Sequence, residues 1–364
     1  MRLVRKWSAI VAVSLSWIAA GPYAGPRAQE KTAPAVDPSL GPYASNADSA
    51  QLSDGRTIHL VCMGTGSPVV ILTAGANDWG IVWNKVQPAV ARKTRVCTWD
   101  RAGFGLSTPS EHRQIVENRT DDLQAALTIG GIAGPYVLVG HSMGAHETLM
   151  LTDRMPTKVV GMVLVDPLFP DSFSILGRVA PGFIGWVRTY STSDVPRYHA
   201  CVMGLRAGDV GYGKPDPNGC TKIPRSPTLP LEVRAALDRV QIDAGPRVLA
   251  AWYETQISYL TSSFSEEDAK ATINLNRNYG SMPLVVLTAG EDGTPPPDLP
   301  DSIKAELPKQ AAEWRRSHRA LAALSARGAN RIVPDSSHYI HQIKPQVVIN
   351  AIDEVIDTAR AERH

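Results

Sequence analysis

The sequence predicts an α/β protein: a mostly parallel central sheet flanked by helices and carrying a mainly helical insertion. Short runs rich in Val, Ile and Leu, bounded by Gly, Pro or Asp, recur along the chain. Longer amphipathic stretches separate them, as helices separate the strands of a parallel sheet. The runs are continuously apolar instead of alternating, which marks strands covered on both faces. A third observation sets the insertion apart. The interval 168–282 breaks the rhythm and is too long for a loop without structure of its own.

Taken in order, Arg2, Arg5 and Lys6 precede Trp7 to Ala20, a stretch without charge. A basic start, a short apolar core and small residues after it read as a signal peptide over 1–28. The uncharged stretch falls short of the roughly 20 residues a spanning helix needs. The Pro/Ala/Ser-rich segment 29–50 reads as a flexible lead-in. Strands are expected at 56–63, 68–73, 94–99, 135–140, 159–165, 283–288 and 329–333. Helices are expected at 118–130 and at 143–154, the latter ended by Pro156. The core then comprises 51–167 and 283–364. The insertion, 168–282, includes a helical segment over 231–260.

Composition narrows the function. The chain has 364 residues with 43% hydrophobic content, enough for a substantial core. Its net charge is +2, and removal of 1–28 takes away Arg2, Arg5, Lys6 and Arg27 and no acid, leaving −2. No basic run follows the first residues, so no nucleic-acid partner is expected. No later apolar stretch is long enough to span a bilayer, so no stable membrane anchor is expected after cleavage. Export would place the protein in the periplasm or outside the cell, where an even count of four cysteines invites pairing.

Residues 140–144 read Gly-His-Ser-Met-Gly, between the strand 135–140 and the helix 143–154. A G-x-S-x-G in a strand–turn–helix setting places its serine on a sharp turn. The turn is too tight for side chains beside the serine, hence the glycines. Ser142 is thereby exposed at the sheet's edge and at the positive end of the following helix. This makes Ser142 the candidate nucleophile. With three further segments, Pro68 to Gly75, Trp99 to Ser107 and Asp335 to Tyr339, the chain resembles the α/β-hydrolase fold superfamily over roughly 52–358. The insertion then lies between strands six and seven of that fold. Asp100 and Arg101 read as structural. The His-Gly usual after the third strand is Ala74-Gly75 here, a match of position only.

The resemblance implies a catalytic triad and an oxyanion hole. A serine hydroxyl needs a base to take its proton, and His338, in a polar turn after the last strand, stands where the superfamily keeps it. His341, three residues on, reads as a helix-face residue, and His141 and His146 as packing or pocket-lining residues. The acid that orients the imidazole has two candidate places. Asp166 directly follows the run 161–165, where some haloalkane dehalogenases keep theirs, and Asp292 lies after the seventh strand in Gly290-Glu-Asp-Gly293. Asp166 is favoured. Backbone N–H groups of Met143 and Ala76 are the expected oxyanion donors.

These residues imply acyl transfer to water, with carboxylic ester hydrolysis as the default and no cofactor or metal required. A lactonase, a proline iminopeptidase-like aminopeptidase and a carbon–carbon bond hydrolase are the alternatives, and a non-catalytic binding protein the remote one. An aminopeptidase would use acidic residues of the insertion, among them Glu254, Glu266, Glu267 and Asp268, to hold an ammonium group. The insertion is rich in aromatics, which form its core or line the pocket; in the latter case the substrate is a small ester with an apolar or aryl part. In the superfamily's strand order the second and fourth strands are neighbours, which implies a Cys62–Cys97 bridge. Cys201 and Cys220 would close a Gly- and Pro-rich loop within the insertion.

Overall fold

Seven strands form the central sheet of the computed structural model, which describes residues 38–221, 230–243, 245–291, 295 and 299–362. They are β1 (Leu60–Met63), β2 (Val69–Thr73), β3 (Val96–Trp99), β4 (Tyr136–His141), β5 (Val159–Val165), β6 (Leu284–Ala289) and β7 (Gly328–Val333). Their order is β1-β3-β2-β4-β5-β6-β7, with β1 antiparallel to β3 and every other pairing parallel. The expected signal peptide and Asp292 lie outside the described residues. Among those described, no helix is long and apolar enough to cross a membrane.

The period-two geometry of a strand sends alternate side chains to opposite faces. Val70, Leu72, Val137, Val139, Val163, Val165, Val285 and Leu287 pack with helix Pro345–Ala361 on one side. On the other, Ile71, Cys97, Trp99 and Leu138 pack with helix Val116–Ile129. On that same side Met162, Leu164, Leu284 and Val286 pack with Ala145, Leu149, Trp314 and Leu321. Both faces of β2, β4, β5 and β6 are therefore dry, which is why these strands carry no polar alternation.

Three local expectations are corrected. The run 56–63 is not one strand. Thr57–Ile58 pairs with Ala50–Gln51 in a separate hairpin, and the central sheet resumes at Leu60. The break falls at His59, whose N–H donates to Ser107 Oγ and whose ring bonds Asp100 Oδ2 at 2.6 Å and the Ser45 carbonyl at 2.8 Å. The lead-in is not flexible throughout. From Pro38 it forms a 3₁₀ turn, Tyr43 is fully buried, and its hydroxyl donates to Gln87 Oε1 at 2.8 Å. The segment 231–260 is not one helix: Leu231–Asp238 runs on into a π-helix, Arg239–Asp243, and a second α-helix spans Pro246–Ser263. Gly245 at φ 90° precedes Pro246, which has no N–H and starts the second.

Between β5 and β6 the chain runs through six α-helices and one short π-helix among the described residues, from Ser172–Val179 to Glu266–Ala271. The bridge Cys201–Cys220 sits in their core, where the Tyr253 hydroxyl donates to the Cys220 carbonyl at 2.9 Å. Cys62 and Cys97 are bridged across β1 and β3, directly opposite in register with Cα atoms 4.1 Å apart. The loops they close span 19 and 35 residues of separation. By the chain-entropy model each bridge contributes about 3–4 kcal/mol. Denatured protein, kept unreduced, is expected to titrate with no free thiol, and reduction to lower the unfolding midpoint. Four titratable thiols before reduction would contradict both bridges.

Candidate active site

The loops that follow β2, β3, β4, β5 and β7 converge at the carboxyl ends of the strands, where crevices form in parallel sheets. Among the described residues, five non-glycine positions have positive φ, and all five lie in these loops: Asn77, Ser142, Asp166, Asp171 and Asp335. Such conformations cost about 1–3 kcal/mol each and persist where the surroundings over-determine them.

Ser142, at φ 52°, sits between β4 and helix Gly144–Arg154. Its N–H donates to the Val165 carbonyl at 3.1 Å, and its carbonyl accepts from Leu168 at 2.9 Å. The glycines are required by contact. A Cβ at Gly140 would lie 2.5 Å from Thr148 Oγ1, and one at Gly144 2.5 Å from the Ala74 carbonyl oxygen. Gly75 brings its loop against the turn: a Cβ there would meet His141 Nδ1 at 2.7 Å and Ser142 Cβ at 3.2 Å. Gly75 thus lies against Ser142 on one side, and Met143 follows the serine as N-cap of the helix.

Asp166 follows β5 as Ser142 follows β4, one residue beyond the His141–Val165 register pair. Its side chain is fully buried. Oδ2 lies 2.7 Å from His338 Nδ1, and Oδ1 accepts from the Ala289 N–H at 2.9 Å and Trp314 Nε1 at 3.1 Å. Burial pushes this carboxyl up, but the His338 contact and the Ala289 N–H outweigh it and hold it below the usual carboxylate range. His338, in the turn after β7, is fixed by a second contact: His141 Nε2 bonds its carbonyl at 3.1 Å. Contrary to the expected exposure, Ser142 is buried: it and His338 are each less than a tenth exposed.

The other histidines have distinct places. His341 is fully buried and packs its ring on Trp83 at 4.6 Å, so it does not face solvent from its helix. Burial and the nearby His338 push it down to about 3. His146 is buried, with Nε2 3.4 Å from the Phe169 carbonyl.

Sequence reasoning missed four residues around this cluster. Trp314 and His318, four apart on helix Leu307–Ala322, present one face to the acid. His318 Nε2 donates to the Pro167 carbonyl at 2.8 Å, and Nδ1 meets Thr288 Oγ1 at 2.7 Å. Burial holds its pKa down against the pull of Asp166. The i,i+4 pair of polar rings on an otherwise apolar face was the available signal. Asp78 and Tyr339 are the other two: the Tyr339 hydroxyl donates to Asp78 Oδ2 at 3.0 Å, beside His338. Burial pushes the Asp78 carboxyl up to about 6, opposed by that hydrogen bond and by His338.

Beneath the site runs a buried ionic chain. Arg101 Nε and Arg119 Nε both donate to Glu147 Oε1, at 2.7 and 2.8 Å, and Arg119 Nη2 meets Asp268 Oδ2 at 3.2 Å. Burial would raise the Glu147 carboxyl, but the two guanidiniums lower it to about 2. Its ionised form therefore stabilises the fold fully above the ordinary glutamate range, and this is lost as pH falls towards 2. Glu147→Gln leaves two guanidiniums buried with only Asp268, and is expected to cost about 3–5 kcal/mol. Urea unfolding at neutral pH measures it, and a loss below 1 kcal/mol would contradict the pairing.

A sheet of this order with a strained serine turn and a paired His and Asp at its carboxyl edge defines the α/β-hydrolase class. The chain belongs to the alpha/beta hydrolase family, whose model matches residues 64–351. It is 21% identical over 292 residues to the uncharacterized protein YqjL of Bacillus subtilis, covering 80% of this chain and 85% of that one. It is 26% identical over 253 residues to Methylesterase 3 of Arabidopsis thaliana, covering 66% and 84%. Several further curated relatives match only locally, one of them over 15% of its length. Among solved structures, a thermophilic esterase from Thermogutta terrifontis superposes with a TM-score of 0.50 at 19% identity, covering 85% of this chain and 98% of that one. That likeness shows the fold.

Proposed function

We propose that this protein is an exported serine hydrolase that cleaves carboxylic esters through an acyl-enzyme. The observation that carries the reading is the 2.7 Å contact of His338 Nδ1 with Asp166 Oδ2, one strand from the Ser142 turn. His338 Nε2 takes the Ser142 proton as Oγ attacks the ester carbonyl, and Asp166 stabilises the imidazolium. The Ala76 and Met143 N–H groups receive the oxyanion. The tetrahedral adduct collapses, the alkoxide leaves with the proton from His338, and water then cleaves the acyl-enzyme by the same steps reversed.

Esters are favoured over peptides by what surrounds the site. The four acids of the insertion named above each have a cation already: Glu254 meets Arg206, Glu266 meets Lys270, Glu267 meets Arg113, and Asp268 meets Arg119. The methylesterase among the relatives supports the same choice. The insertion serves as a cap: Tyr259, from helix Pro246–Ser263, reaches Met143 Sδ at 3.4 Å, beside the nucleophile. Phe104, Met143 and Tyr259 share an apolar cluster there, which suits an ester with an apolar or aryl part. Two disulfides accord with an oxidising compartment. The test is labelling by an active-site fluorophosphonate, then turnover of p-nitrophenyl esters of increasing chain length. A protein that neither labels nor turns over any of them contradicts the reading.

A further inference from the structure

The Ala76 N–H shares its peptide plane with the Gly75 carbonyl. In a trans peptide the two point in opposite directions and turn together. Whatever holds the Gly75 oxygen therefore aims the Ala76 N–H. Arg101 holds it: Nη1 donates to the Gly75 carbonyl at 2.9 Å and Nη2 to the Ala74 carbonyl at 2.8 Å. The third edge of the guanidinium, Nε, donates to Glu147 Oε1 at 2.7 Å. Glu147 lies four residues after Met143, in the first turn of the helix that Met143 caps. One buried side chain thus connects the backbone segments of both candidate oxyanion donors. On the far side, the Tyr259 hydroxyl, from the insertion, donates to Met143 Sδ at 3.4 Å. The segment 74–75 is held from the core at two carbonyls.

We infer that Arg101 is a positioning residue of the oxyanion hole, orienting the Ala76 N–H through the Gly75–Ala76 peptide plane and fixing its distance from the Met143 N–H through Glu147. The inference rests on the hydrolase reading above. Arg101 touches no reacting atom. Its fork geometry is what matters, because a lysine ammonium retains the charge but cannot serve two carbonyls and Glu147 in one plane. Glu147 keeps Arg119 in either case.

Arg101→Lys is the deciding variant, assayed on a p-nitrophenyl ester. Loss of one oxyanion donor costs about 10²–10³ in kcat elsewhere, and a misaimed donor is expected to cost about 10–100-fold. KM should stay within about twofold, since ground-state binding is untouched. A trifluoromethyl ketone adds Ser142 Oγ to its carbonyl carbon and leaves an oxyanion in the hole. Its inhibition constant should weaken by the same factor as kcat, whereas inhibition by the product carboxylate should not change. A merely structural role would not separate these two inhibitors. Should Arg101→Lys fail to fold, Arg101→Gln replaces it, a neutral side chain whose one NH₂ cannot serve both carbonyls and Glu147 together. It should lower kcat by a similar factor, again with ketone inhibition in parallel. A folded Arg101→Lys with unchanged kcat and ketone inhibition overturns the inference. So does an unfolded one paired with an Arg101→Gln of unchanged kcat and ketone inhibition. Ser142→Ala separates the two levels: if it retains activity the hydrolase reading itself is wrong, and if it is inactive while Arg101→Lys is normal only the present inference fails.

Discussion

Ser142→Ala is expected to lower kcat for ester hydrolysis by about 10⁴-fold or more, while the unfolding midpoint moves by no more than a few degrees. The change removes one oxygen from a turn whose geometry is set by other groups. Gly140 and Gly144 make the close approaches, and the Ser142 backbone bonds to Val165 and Leu168 do not involve its side chain. Alanine meets the same strain at φ 52° that serine meets. His338→Ala should lose about as much, and the double variant little more, because nucleophile and base act as one unit. Turnover of a p-nitrophenyl ester, read beside circular dichroism of each variant, checks this. Activity within tenfold of the parent in a folded Ser142→Ala would remove the serine from the chemistry.

What was legible in the sequence was whatever depends on neighbours along the chain. Strands covered on both faces are apolar at every position, so β2, β4, β5 and β6 stood out as runs. The serine turn was legible because its crowding must be met by glycines at fixed offsets. What depends on distant partners was not. The strand run at 56–63 divides at His59 because residues 45, 100 and 107 compete for its polar groups. Tyr43 lies in a segment of disorder-like composition, yet Gln87 and a buried niche hold it. Trp314, His318, Asp78 and Tyr339 acquire meaning only when the sheet gathers its loop ends. Asp166 and Asp292 both follow strand ends, so spacing alone ranked them weakly; the structure puts Asp166 against His338, and Asp292 is outside the described residues.

Asp166→Asn is expected to lower kcat by about 10⁴-fold, by a route that the hydrogen bonds around the carboxylate dictate. Oδ1 accepts from two donors, the Ala289 N–H and Trp314 Nε1, and Oδ2 faces His338 Nδ1. An asparagine has one oxygen and one NH₂ to fill these two places. Putting the NH₂ at Oδ1 would face it against two N–H groups in a fully buried niche, leaving both donors and the amide unsatisfied. The oxygen therefore stays at Oδ1, and the NH₂ points at His338 Nδ1. That nitrogen must then accept, which moves the imidazole proton to Nε2, the atom that has to receive the serine proton. The variant should fold, label slowly with fluorophosphonate, and show His338 as the Nε2–H tautomer by nitrogen NMR. Asp292→Asn should leave kcat within a few-fold. Trp314→Phe sharpens the argument, since it removes one of the two donors that pin the amide. In the Asp166→Asn background it weakens the penalty for the flipped amide and should restore a measurable part of the lost rate. A kcat for Asp166→Asn within tenfold of the parent would mean that another carboxylate orients His338.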